Sequence, residues 1–441
     1  MRTHFNCALP VLLCVSLLAV FSAGAADSPG ATNAPLPRAD ANGNPLRRAP
    51  TGHVSNYDES KVGNYTLPDP LVLADGEPVR DAQTWFNVRR PELLKFYDTD
   101  IFGRVPASAP NATFRVIQTD TNGLDGMAVR KLVLIQFGDK PDGPAVQLHI
   151  YLPAKATAPV PMLLQIVFSA NLPASNAVPP GPGGRPVSSE AGPITNILAR
   201  GYGYATFRYT DVQPDSSNTF QSGVIRLALR PGQTKPAPDE WGTISAWAWG
   251  ASRVLDYLEK DRAVDAKHVA LIGHSRLGKT VLLAGARDLR FALIFSSCGG
   301  EMGSALARRD YGETIDDMAS NFPWQFAGNF QKYAGHWNDM PVDTHMIIAL
   351  NAPHPVFIIG GTGDQWADPR GEFLGEVAAG PVYRLAGLKG LGTTNFPPVD
   401  TPLITGDLGF NYHTGPHAIM PSDWNAFLQF ADKYLKPANS K

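Results

Sequence analysis

Lys267 to Ala286 reads K-H-V-A-L-I-G-H-S-R-L-G-K-T-V-L-L-A-G-A. His268 to Ile272 is a short apolar run with a β-branched bias, Gly273 and Gly278 bracket a serine, and Thr280 to Ala286 has the Ala/Leu content of a buried helix. The segment predicts strand, tight turn, helix. In that geometry Ser275 stands on the turn with its hydroxyl lifted off the backbone. The helix N-terminus behind it offers unpaired N–H groups and partial positive charge to a developing oxyanion. This is the pattern of a nucleophile elbow, written here G-x-S-x-x-G because Leu277 takes the place of the usual second glycine.

Outward from this segment the chain alternates strands and helices. Met162 to Phe168 is an almost unbroken apolar run, as in a strand covered on both faces, and Tyr202 to Tyr209 is the next. Gly242 to Glu259 supplies a helix that leads into the elbow strand. Phe291 to Ser296 and Pro355 to Gly360 are the following strands, and Ser422 to Leu435 is a terminal helix. Trp85 to Phe102 reads as a helix. Phe114 to Ile117, Val129 to Phe137 and Val146 to Leu152 read as an antiparallel meander at one edge. The expectation is an α/β-hydrolase fold, a three-layer sandwich around a central mixed, mostly parallel sheet. Two Pro- and Gly-rich loops, Leu172 to Pro186 and Gln213 to Asp239, are expected to wall the site.

The chain has 441 residues, 44% hydrophobic and 18% charged, and a formal charge of −2, which suits one large domain and argues against a nucleic-acid partner. Arg2 and His4, the apolar run Leu9 to Phe21 and then Ala23-Gly24-Ala25 form the pattern of a secretory signal peptide over residues 1–25, with Ala26 first after cleavage. The run is shorter than the roughly 20 apolar residues a membrane span needs. Cys7 and Cys14 would leave with it, so the mature chain keeps Cys298 and forms no internal disulfide. Residues 26–70, rich in Pro, Gly, Asn and Ala, read as a linker and irregular wrap, and residues 71–441 as a single catalytic domain with its ordered fold starting near Leu71. A periplasmic or secreted monomer without cofactor or metal is expected.

An elbow serine needs a base, and in hydrolases of this type the acid and then the histidine follow the serine in the chain. Asp364 lies in G-T-G-D-Q-W, directly past a strand's C-terminal end, where catalytic groups collect in open α/β sheets. His413 and His417 both lie in the late loop Gly409 to Pro421, and either could be the base.

Gly273 to Lys279, G-H-S-R-L-G-K, resembles the G-C-S-R-x-G-K signature of the glucuronoyl esterases, carbohydrate esterase family 15. The likeness continues in D-E-W-G-T-I-S-A-W-A-W from Asp239, A-L-A-R-R-D-Y-G-E-T from Ala305, P-V-D-T-H from Pro341 and W-A-D-P-R-G-E-F from Trp366, in the order of bacterial members. The resemblance implies a secreted serine esterase that cleaves the ester between a 4-O-methyl-glucuronic acid branch of xylan and a lignin alcohol. It makes Ser275 the nucleophile, His417 in G-P-H the base and Arg276 the oxyanion residue. Lys279 and Glu313 match positions that contact sugar hydroxyls, and Trp366 a position lining the sugar site. Two positions depart from the pattern. His274 stands where many members have cysteine, and Cys298 falls, by ungapped count, where fungal members carry the triad glutamate. Some bacterial relatives place the acid after the next strand, as in D-x-W, which here is Asp364; Glu301 is the fallback acid. The alternatives are an acetyl xylan or other carbohydrate esterase with the same triad, and a non-catalytic carbohydrate-binding protein on a hydrolase fold.

Overall fold

Alternate side chains of the central strands enter two different hydrophobic cores. Leu271, Val356 and Ile358 pack on one face of the sheet, and Ala270, Ile272, Phe357 and Ile359 on the other. Successive strand residues point to opposite faces, so a strand covered on both sides needs apolar residues at nearly every position. The structure, a computed structural model, describes residues 36–169 and 192–436. The predicted signal peptide and the loop Leu172 to Pro186 lie outside these residues.

The sheet has nine strands among the described residues: β1 (Ala112–Asn122), β2 (Ala128–Phe137), β3 (Ala145–Pro153), β4 (Val160–Val167), β5 (Gly203–Arg208), β6 (Val264–His274), β7 (Leu293–Ser297), β8 (Val356–Gly361) and β9 (Leu408–His413). Their spatial order is β1-β2-β3-β5-β4-β6-β7-β8-β9. The first four in that order pair antiparallel, and β5 through β9 run parallel. On one face lie α1 (Thr243–Leu258), α2 (Arg276–Arg287) and α3 (Pro369–Leu385). The other face is covered by the short helix Ile194–Ala199 and by α4 (Pro421–Leu435), where Phe427 stacks on Phe295 of β7 at 4.5 Å. Each such large side chain taken from water contributes roughly 1.5 to 3 kcal/mol. The three layers of an α/β hydrolase result.

Three expectations change. First, part of the late loop is a strand, since Leu408–His413 pairs with β8 over its whole length. Gly409 and the buried Asn411 hid it from a reading by apolar pattern, and Asn411 is held in the core by its Nδ2 bond to Asp423 at 2.7 Å. Second, Gln213 to Asp239 contains a helix, Gly223–Ala228, which buries Val224 and Ile225. Third, order begins well before Leu71: Arg38–Lys441 forms one unit. From Arg38 to residue 70 the chain has little regular structure of its own, and long-range bonds tie it down. His53 Nε2 lies 2.7 Å from Asp310, Asn56 donates to the Asp310 carbonyl, and Glu59 takes the guanidinium of Arg309 at 2.7 Å. No helix among the described residues is long and apolar enough to cross a membrane.

Candidate active site

Strand β6 runs straight into Ser275, whose φ of 59° and ψ of −127° lie outside the regions that serine ordinarily adopts. Strain of this kind persists only where the surroundings enforce it. Here Ser275 N–H donates to the Ser297 carbonyl at 2.8 Å, and its own carbonyl accepts from Gly278 N–H at 2.7 Å as α2 begins. The glycine spacing has a packing cause. A Cβ on Gly273 would come within 2.2 Å of the Leu277 carbonyl, and one on Gly278 within 2.9 Å of Ser296 Oγ and the Ser297 carbonyl. The second glycine thus sits where α2 crosses β7, while Leu277 is free to be large and is fully buried.

Ser275, Arg276, Lys279, Glu313, Asp364, Trp366 and His417 all line one cavity of about 390 Å³. His417, in the loop after β9, places Nδ1 2.6 Å from Asp364 Oδ2. A carboxylate can only accept, so Nδ1 carries the proton and Nε2 is left as the basic nitrogen. Asp364 is almost entirely buried, while the His417 side chain is 39% exposed on the cavity. Their two loops are laced together: Gly363 N–H donates to the Gly415 carbonyl at 2.8 Å, and Thr362 N–H to that of His413 at 2.9 Å. Among the described residues no hydrogen bond joins Ser275 Oγ to His417. Such contacts often close only when substrate binds.

His413, the other histidine open from sequence, is buried at the end of β9. Its Nδ1 is 3.0 Å from Asp423, and burial, which opposes its charge, is outweighed by that carboxylate, so its pKa is raised. It is not among the cavity's lining residues. Glu301 is likewise turned away: its carboxylate accepts from Met302 N–H at 3.0 Å, and burial, followed by the field of Asp343, pushes its pKa well up. Cys298, at the end of β7, does line the cavity. It has a φ of 46°, its N–H donates to the Ile359 carbonyl at 2.9 Å, and burial raises its thiol pKa. Among the described residues it forms, with Asp364 and His417, the one group of three side chains close enough to share a metal ion.

Arg276 heads α2, and its guanidinium lies over the rings of Phe322 at 5.4 Å and Phe168 at 5.9 Å. It is bonded to Asp215, a residue the sequence reading missed. The buried Asp215 carboxylate also accepts from Trp324 Nε1 at 2.7 Å and Gln325 Nε2 at 3.0 Å. Lys279, only 5% exposed, donates to the carbonyls of Gly299 (2.7 Å) and Glu301 (2.6 Å) and to Glu313 Oε2 (3.0 Å). Glu313 Oε1 then accepts from Trp366 Nε1 at 3.0 Å. Arg47, from the N-terminal segment, lies over the Trp366 ring at 4.6 Å. His274 borders His417 with ring centroids 4.5 Å apart. Burial, followed by the fields of His417 and His413, lowers its pKa to about 3, so it stays neutral.

The family model described as glucuronyl esterase, fungi, matches residues 165–387. Carbohydrate esterase MZ0003, from an unknown prokaryotic organism, is 40% identical over 86% of this chain and 92% of its own length. A 4-O-methyl-glucuronoyl methylesterase of Phanerochaete carnosa is 27% identical over 85% of this chain and 82% of its own. The solved glucuronoyl esterase from Solibacter usitatus superposes with a TM-score of 0.77 at 42% identity, over 85% of this chain and 99% of that one. With an elbow serine, a paired histidine and carboxylate and this level of likeness, the chain belongs to the glucuronoyl esterases, carboxylic ester hydrolases of the α/β-hydrolase fold.

Proposed function

We propose that the protein hydrolyses the ester joining a (4-O-methyl-)glucuronic acid of glucuronoxylan to a lignin alcohol, through an acyl-enzyme on Ser275. The observation that carries this reading is the linked set Lys279, Glu313 and Trp366, which opens on the same cavity as Ser275 and the His417–Asp364 pair. A sugar held there by charged hydrogen-bonding groups and an indole face presents its own C6 carbonyl to the serine. Ser275 Oγ attacks that carbon while His417 Nε2 takes its proton. Asp364 holds the imidazole in the required tautomer and stabilises the imidazolium. Arg276 meets the oxyanion with its backbone N–H and its permanent charge. The proton then passes to the leaving alcohol, and water, activated by the same histidine, releases the free acid and restores Ser275.

The reading includes export. Residues 1–25 act as signal peptide, residues 38–70 wrap the rest of the catalytic domain, and the mature chain works as a periplasmic or secreted monomer. The Leu9 to Phe21 run and Ala23-Gly24-Ala25 support this, and the intact mass of the mature protein, starting at Ala26, tests it. The chemistry is tested with methyl 4-O-methyl-glucuronate against acetylated xylan. The methyl ester should be cleaved and acetate release should be absent, with Ser275→Ala inactive on both. Acetate release with the methyl ester untouched would make the protein an acetyl esterase. A folded Ser275→Ala variant that keeps a tenth of the activity would remove the nucleophile assignment.

A further inference from the structure

Where the resemblance places a carboxylate in fungal members, this chain has a thiol, and the substitution alters what the neighbourhood can bind. We propose that Cys298, Asp364 and His417 form an inhibitory site for a thiophilic divalent cation such as Zn²⁺. The inference rests on the reading of Asp364 and His417 as the orienting pair of the esterase.

Three donors of suitable kind, a sulfur, a carboxylate oxygen and a ring nitrogen, lie within 4.8 Å of one another. Zinc bonds of about 2.3 Å to sulfur and about 2.0 to 2.2 Å to nitrogen and oxygen require ligand separations of roughly 3.3 to 3.6 Å in a tetrahedron. The present spacing brackets that requirement: the His417–Asp364 contact is 2.6 Å and the widest pair falls within 4.8 Å. Two ligands are anchored and one can adjust. Cys298 is fixed by its N–H bond to Ile359 O, and Asp364 by its N–H bond to Gly361 O at 3.0 Å. His417 is the more exposed member, so rotation of its ring closes the site. All three line the cavity with Ser275, which gives the ion a path in and leaves a fourth position open to water.

The ligand type sets the selectivity. Two carboxylates and an imidazole would favour hard ions weakly, whereas a thiolate beside an imidazole selects zinc-like ions over Mg²⁺ or Ca²⁺. Binding releases one proton, from the Cys298 thiol. The Nδ1 proton of His417 moves to Nε2 as Nδ1 takes the metal, so the imidazole remains neutral and no electron is transferred. The nitrogen that would accept the Ser275 proton is then already protonated, and turnover stops without any change in the sugar-binding groups.

The test combines inhibition with a spectroscopic readout on the full mature chain. Zn²⁺ should abolish hydrolysis of the methyl glucuronate ester reversibly, with recovery on adding a chelator, while equal Mg²⁺ or Ca²⁺ has no effect. Cys298, which takes no part in the proposed reaction, can be removed. Cys298→Ala should keep hydrolysing the ester and need at least about tenfold more Zn²⁺ for the same inhibition. Co²⁺ added to the wild type should produce a near-ultraviolet thiolate-to-cobalt absorption band that Zn²⁺ displaces. Equal Zn²⁺ sensitivity in the wild type and Cys298→Ala, or Co²⁺ binding without the thiolate band, would overturn the proposal. The cobalt spectrum needs no variant and no turnover, so it decides the matter even if Cys298→Ala fails to fold. A thiolate band in a protein with no esterase activity would support the metal site and refute the functional reading; an active esterase without the band would do the reverse.

Discussion

Acidification from about pH 7.5 to about pH 4.5 should cost the folded state a definable amount of stability at His274. Its ring packs against those of His417 and Phe168, and Nδ1 lies 2.8 Å from Ser297 Oγ. Burial, with smaller contributions from His417 and His413, takes its pKa from 6.5 to about 3. In the unfolded chain the imidazole titrates near 6.5, so between these two values the unfolded state binds the extra proton and the folded state does not. Stability therefore falls as pH drops below about 6.5 and goes on falling to about 3; above this window the residue has no effect. From these two values the loss between pH 7.5 and 4.5 is about 2 to 3 kcal/mol. It is an upper bound, since the residue keeps some contact with water. His274→Asn retains a polar atom near Nδ1 and abolishes the titration. Urea unfolding of wild type and variant at both pH values isolates the term, because any fixed cost of the substitution cancels. The acid-induced loss should be smaller in the variant by about 2 kcal/mol. Equal losses in both proteins would refute the argument.

Asp364→Asn should lower kcat by roughly 10²- to 10⁴-fold with little change in KM, while Glu301→Gln stays close to wild type; the opposite outcome, read by steady-state kinetics, would return the acid to the strand β7 side. Lys279→Ala should impair glucuronate esters far more than a simple aryl acetate, because it unties Glu313 and through it Trp366, and the charged hydrogen bond lost corresponds to about 1.5 to 3 kcal/mol. Equal losses on both substrates would make Lys279 a support of the elbow. Asp215→Ala should lower kcat roughly 10- to 100-fold with KM nearly unchanged, because Arg276 loses the partner that aims it, and Asp215→Asn should restore part of the rate.

Much of this arrangement is legible in sequence because it is local. The elbow is strand, turn and helix within 20 consecutive residues, and the apolar runs of β4, β6, β7 and β8 report burial on both faces directly. What escaped depends on distant partners. Asp215 is 61 residues from Arg276 and 109 from Trp324, so in sequence it is one acid in a polar loop. Strand β9 carries Gly409 and Asn411 where an apolar pattern is expected, and Asn411 is tolerated there only because Asp423 of α4 meets it. Position in chain order left His413 and His417 equivalent. Their separation comes from the end of β9, which buries His413 on Asp423 and leaves His417 four residues on at the cavity.

The relation between Cys298 and Asp364 follows from the parallel sheet. Strands β7 and β8 are neighbours, with Ser297 in register with Ile359, so the chain leaves both strands at the same edge and beside the same imidazole. A carboxylate from either strand end could meet Nδ1, and in the proposed mechanism only one is needed. Two ionised carboxylates in that confined space would repel each other and raise one another's pKa. A buried thiol avoids this conflict. Its pKa is pushed up by burial first and then by the fields of Asp364 and Glu372, so it remains neutral and leaves the contact with His417 Nδ1 to Asp364. The same neutrality makes the thiol a poor orienter by itself. A second carboxylate added at position 298 would therefore compete with Asp364 for the Nδ1 proton, and loss of Asp364 would leave nothing at the end of β7 able to replace it.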